Sequence, residues 1–97
     1  MPIVEPISLD EAKRQIRVEF DEDDGLISGY ITAARQWAEG FLNQPLVAPD
    51  GGEPPEVKST WKQAILLIVA SWYQSREAGA IPEAAHHLLW LDRNVPT

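Results

Sequence analysis

The chain has 97 residues, 44 % hydrophobic and 24 % charged, which suits one folded unit around one core and excludes a disordered polyelectrolyte. It contains no cysteine, which excludes disulfides, thiolate metal sites and thiol redox chemistry and suits a reducing compartment. The formal net charge is −7; residues 1–56 hold 12 acidic and 4 basic side chains and residues 57–97 hold 3 and 4, so no basic patch for gripping nucleic-acid phosphates is present.

The chain opens Met-Pro-Ile-Val-Glu-Pro, without a basic stretch followed by an apolar run, so nothing there directs it to a membrane or to secretion. Ser8 precedes Glu11 by three positions, the spacing of a capping box in which each side chain serves the other's backbone N–H, and it predicts a first helix over about 9–17. Leu9, Ala12 and Ile16 fall on one face of that helix, with Lys13, Arg14 and Arg17 mostly elsewhere.

An acidic run, Asp21-Glu22-Asp23-Asp24, interrupts the pattern before a second helix over about 24–43. Leu26, Ile27, Tyr30, Ile31, Ala34, Trp37, Ala38, Phe41 and Leu42 follow in steps that draw a broad apolar stripe. Carboxylates favour the positive end of a helix, and Asp23 or Asp24 is the expected cap.

Residues 44–57 read as a Pro/Gly-rich loop, because proline cannot donate a backbone hydrogen bond and paired glycines allow a tight turn. Leu46, Val47 and Ala48 leave room for a brief strand of a β-hairpin. A third helix over about 58–77 is apolar nearly all round, from Trp61 through Ile65, Ile68 and Val69 to Trp72 and Tyr73, so it belongs at the centre of a bundle. Its longest apolar stretch is too short to span a bilayer. After Gly79, Pro82 fits the first turn of a fourth helix over about 82–92, where Ala85, Leu88, Leu89 and Leu91 close the core. The expected fold is all-α: a compact four-helix bundle forming a single helical domain over 1–97.

Motifs with chemistry are few. Asp21 to Asp24 followed by Gly25 suggests a calcium loop, but the glycine falls one place late and Tyr30 stands where a bidentate carboxylate is needed, so the cluster reads as solvated carboxylates at a helix start. His86 and His87 point about 100° apart on a helix, and Glu83 with His87 gives two of the three or four ligands zinc requires. The serines lack a nucleophile motif and the glycines match no phosphate loop, so no catalytic, cofactor-binding or metal site is expected. Trp37, Trp61 and Trp72 suit core positions; Trp90, beside the chain end, suits the core or a partner's surface equally.

Taken in order, Ile7-Ser8-Leu9-Asp10-Glu11-Ala12-Lys13, Ile16-Arg17-Val18 and the acidic Phe20-Asp21-Glu22-Asp23-Asp24 resemble the amino-terminal pattern of bacteriophage head-tail connector (adaptor) proteins. The segment from Lys62 through Ala64-Ile65-Leu66-Leu67 to Trp72-Tyr73-Gln74-Ser75-Arg76-Glu77 resembles a later helix of the same family. Gln15 stands where that family often has histidine, and the Leu89-Trp90-Leu91-Asp92-Arg93 end lacks its Pro-Tyr-Arg. The resemblance implies a non-enzymatic virion assembly protein, made in the cytoplasm of the bacterial host and sited at the head-tail junction. It would form a homo-oligomeric ring under the portal protein, extend a channel through which DNA passes without sequence-specific binding, and dock the next connector or a tail-completion protein. The implied role needs no cofactor and no membrane.

A ring requires one face of a subunit to meet a different face of the next. Candidate contacts are the acidic Asp21, Glu22, Asp23 and Asp24 against Lys58, Lys62, Arg76 and Arg93, together with Leu46 and Val47 of the loop and Trp90, apolar residues with no evident place in the bundle. The alternative is a small helical regulator that binds one protein partner without a ring, and stoichiometry separates the two.

Overall fold

Ser8 starts the first helix as its spacing predicts: the Ser8 N–H donates to the Glu11 carboxylate at 3.0 Å and the Glu11 N–H donates to Ser8 Oγ at 3.1 Å. A computed structural model of the chain describes residues 4–48, 55–76, 79–90 and 92. Within them lie α1 (Leu9–Ile16), α2 (Asp24–Leu42), α3 (Ser59–Ser75) and α4 (Glu83–Trp90). The first three each end on a left-handed residue, Arg17, Asn43 and Arg76, whose N–H turns back onto a carbonyl of the last turn. Pro82 stands immediately before α4, and its carbonyl accepts from the N–H groups of Ala85 and His86. Leu91 and the tail over 93–97 lie outside the described residues, as do 49–54 of the loop.

Two side-chain contacts set the direction of the helices. Tyr73 Oη donates to Asp23 at 2.6 Å, which brings the start of α2 to the end of α3. Lys58 Nζ donates to Asp92 at 2.6 Å, which brings the residue just past α4 to the start of α3. Both α2 and α4 therefore run antiparallel to α3, and α3 touches all three other helices. Its central position follows from composition: Trp61, Ala64, Ile65, Ile68, Val69 and Trp72 are buried, and Leu66, Leu67 and Tyr73 pack partly buried against the core. Each fully buried aliphatic side chain contributes roughly 1.5–3 kcal/mol. From α2 the core receives Ile27, Tyr30, Ile31, Ala34, Ala38 and Leu42, and from α4 Ala85 and Leu89.

The short strand allowed for 46–48 is absent, and the described residues contain no strand. Pro45 has no N–H to offer a ladder, and the Leu46 N–H is taken by the Glu39 carboxylate at 2.8 Å. That bond belongs to a network around Arg35, a charged side chain only 6 % exposed. Arg35 Nε and Nη2 donate to the two oxygens of Glu5 at 3.0 and 3.2 Å, Nη1 donates to Glu39 at 2.9 Å, and Thr32 Oγ1 donates to Glu5 at 2.9 Å. The guanidinium thus joins the segment before α1, the middle of α2 and the entry to the loop. These carboxylates, Glu5 first, hold the Arg35 proton even more firmly than usual.

Candidate subunit interface

The acidic turn before α2 is less solvated than a run of four carboxylates suggests. Lys13 of α1 places its ammonium 2.9 Å from Asp21 and 2.8 Å from Asp24. The Asp24 Oδ1 so paired is enclosed and accepts no well-aligned hydrogen bond, so the adjacent ammonium is what compensates its burial. Asp23 occupies the cap position, yet its side chain caps nothing. It accepts instead from Tyr73 and, at 3.1 Å, from Arg76, whose guanidinium lies 4.6 Å from the centre of the Tyr73 ring. Asp21 and Glu22 remain exposed. Sequence periodicity does not show this clasp, because its partners lie 50 and 53 residues apart in the chain.

The clasp has a pH signature. The Tyr73 hydrogen bond, and after it Arg76, holds the Asp23 carboxyl below the usual carboxylate range despite some desolvation. A carboxyl depressed in the folded state adds stability above its unfolded value, near pH 4, and loses it as pH falls through the lower folded value. Thermal melts taken downward from pH 5 are therefore expected to fall less steeply for Asp23→Asn than for the parent chain. Parallel slopes would show that the clasp carries no such linkage.

The basic candidates are engaged within the chain as well. Lys58 pairs with Asp92, which also accepts from Trp61 Nε1 at 3.0 Å, and Lys58 lies 5.5 Å from the centre of the Trp61 ring. The Lys58 hydrogen bond, then that of Trp61, holds the Asp92 carboxyl below its ordinary range. Glu11 is lowered chiefly by the Ser8 N–H, with a smaller contribution from the half-buried Lys62. Arg76 is spent on Asp23, and Arg93 lies outside the described residues.

Leu46 and Val47 correct the expectation placed on them. They are 1 % and 5 % exposed, so they belong to the interior of the subunit rather than to its surface. The Glu39 bond to the Leu46 N–H turns the chain inward at this point. Trp90 is 61 % exposed, with its ring tilted against Phe41 at 6.4 Å between centroids. Phe41 stacks on Trp37 at 5.2 Å, and His86 meets both rings by its edge at 5.5 and 5.2 Å. His86 is thus an aromatic neighbour, while His87 faces Glu83 at 3.6 Å on an exposed turn of α4. Among the described residues no group of three metal-ligating side chains occurs, and no helix is long and apolar enough to cross a membrane.

Two further large apolar residues are exposed, Leu26 and Phe20. Leu26, counted in the apolar stripe, is 39 % exposed because it lies at the stripe's edge, and Phe20 is 49 % exposed in the acidic turn. The signal for Phe20 was its position, an aromatic ring between Glu19 and Asp21 in no helix and facing no core.

The model of the phage gp6-like head-tail connector protein family matches residues 6–87. The chain belongs to this family. The connector is also similar to the crystal structure of bacteriophage HK97 gp6, with a TM-score of 0.71 and 28 % identity over 91 % of this chain and 93 % of that one. Comparison with the sequences of curated proteins gives no match. The connector is accordingly an all-α structural protein of the bacteriophage head-tail class. The family span takes in the acidic turn, Lys58, Lys62 and Arg76 and stops before Trp90 and Arg93.

Proposed function

We propose that the connector assembles as a homo-oligomeric ring at the head-tail junction of a virion. In that ring it lies under the portal protein, extends the DNA channel and docks the next connector or a tail-completion protein. The observation that carries this reading is the correspondence with HK97 gp6 over nearly the full length of both chains. The acidic balance suits it, since a net charge of −7 lets DNA pass a wall without being gripped by it. The role is one of assembly: subunit contacts, rather than catalysis or a cofactor, perform it, and the chain reaches the virion after synthesis in the host cytoplasm.

Ring contacts draw on Asp21, Glu22, Lys58, Lys62, Arg76 and Trp90, all at least partly accessible. The pairs Lys58–Asp92 and Arg76–Asp23 are solvent-facing on the basic side, where water screens an ion pair, so these cations can change partners at little cost when a neighbour arrives. Leu46 and Val47 have no part in this version.

Sedimentation velocity over a wide concentration range tests the ring. The expected result is a discrete, closed oligomer of many copies, weakened by charge reversal at Lys58 and Lys62. Monomer alone at every concentration would count against self-driven closure and favour a regulator with a single partner. Unchanged assembly of the doubly reversed variant would remove charge pairing from the account.

A further inference from the structure

The segment before α1 is fastened by a side chain rather than by its backbone. Val4 is 70 % exposed, Pro6 has no N–H to donate, and among the described residues no backbone hydrogen bond ties 4–6 to a helix. Ile7 is buried behind them, and Ser8 begins the capping box. Ahead of Ile7 the polar hold is the Glu5 carboxylate, which accepts from Thr32 Oγ1 at 2.9 Å and from Arg35 Nε and Nη2 at 3.0 and 3.2 Å.

The same guanidinium donates from Nη1 to one oxygen of Glu39 at 2.9 Å, and the other Glu39 oxygen accepts from the Leu46 N–H at 2.8 Å. The bonds therefore run in one line, Thr32–Glu5–Arg35–Glu39–Leu46, from the amino-terminal segment across α2 to the entry of the loop. Without Glu5, the enclosed Arg35 head keeps only its bond to Glu39, and an enclosed cation so poorly bonded is costly. Its long stem lets the head swing out to water instead. Glu39 lies one turn further along the same helix, where it pairs with Arg35 on the surface as readily as inside. Once Glu39 follows, the Leu46 N–H has lost its acceptor, and a buried donor left unpaired favours the opening of the segment that carries it.

We propose that residues 4–6 form a strap that latches the loop entry through Arg35. With Glu5 seated, Leu46 and Val47 stay inside the subunit; with Glu5 withdrawn, Arg35 and Glu39 turn outward together and the loop entry opens. The strap and the loop entry are thus coupled without bonding to each other, since the Leu46 N–H touches neither Glu5 nor Arg35. The device belongs to the fold of one connector subunit and is independent of the ring.

Native-state hydrogen exchange, followed residue by residue by NMR, tests the latch. The Leu46 N–H reads local opening of the loop entry, and the Ile68 N–H, in the buried middle of α3, reads unfolding of the whole subunit. Glu5→Gln alters none of Arg35, Glu39 and Leu46, yet it is expected to speed exchange at Leu46 about tenfold more than at Ile68. Thr32→Val withdraws one donor from Glu5 and leaves every charge in place, so a smaller rise in the same direction is expected, about threefold. Asp23→Asn is the control: that carboxylate is as exposed as Glu5, at 22 % for each side chain, and shares no partner with it, so Leu46 should gain no more than Ile68. Equal gains at Leu46 and Ile68 in Glu5→Gln, or none at Leu46, would overturn the latch and leave Glu39 holding the loop entry by itself. A selective gain at Leu46 in Asp23→Asn as large as in Glu5→Gln would overturn it too, because Leu46 would then answer to any loss of stability.

Discussion

Arg35→Ala is expected to lower the melting temperature of the connector by at least about 10 °C. Arg35 is buried and lies between two carboxylates, so its removal leaves Glu5 and Glu39 facing each other's neighbourhood without a cation. Breaking a fully buried pair in this way costs about 3–5 kcal/mol; Glu5 and Glu39 keep about a fifth of their side-chain surface, which reduces the figure to about 2–4 kcal/mol. For a domain of this size each kcal/mol moves the melting temperature by about 4–8 °C. Arg35→Lys keeps the charge but loses the planar fork that spans Glu5 and Glu39, so an intermediate loss is expected. Thermal melts followed by circular dichroism decide the matter. A shift below about 3 °C for Arg35→Ala would mean that desolvation of the three groups cancels their attraction.

Trp72→Ala is expected to cost about 3–5 kcal/mol in urea unfolding, the range for removing a buried aromatic side chain from a core. Trp72 is 5 % exposed, meets the Tyr30 ring edge-on at 5.9 Å and donates from Nε1 to the Ala80 carbonyl at 3.0 Å. It therefore joins α2, α3 and the link into α4 at one point. Trp72→Phe separates the packing from the hydrogen bond: most of the apolar volume stays, the Ala80 carbonyl loses its donor, and about 1–2 kcal/mol is expected. The midpoint should fall at constant slope, since the surface exposed on unfolding is unchanged. Equal losses for the two variants would show that the hydrogen bond, and not the ring, carries the contribution.

The parts of this molecule that were legible in the sequence are those whose cause is local. The capping box is made by Ser8 and Glu11 three positions apart, and it appears as spaced. The stripe from Ile27 to Leu42 and the all-round apolar α3 follow from the helical period, and the bundle follows from them. The candidate interface was less legible because surface is decided by contacts distant in the chain. Asp23 reads as a cap until Tyr73, 50 residues on, takes its side chain. Leu46 and Val47 read as stranded apolar residues because no local pattern shows the Glu39 carboxylate drawing the Leu46 N–H inward. Arg35 sits inside an apolar stripe at a position that periodicity treats as polar, and only the arrival of Glu5 from 30 residues earlier explains its burial.

The central place of α3 also sets an order of events during synthesis. When α1 and α2 have left the ribosome they have one another, but Ile27, Tyr30, Ile31 and Ala38 still lack the wall formed by Ile65, Ile68 and Trp72. A pair of helices with half a core does not bury enough apolar surface to offset its ordering. Folding therefore waits for α3 to emerge, and until then the nascent chain presents an unfinished apolar face to chaperones and to other nascent connectors nearby.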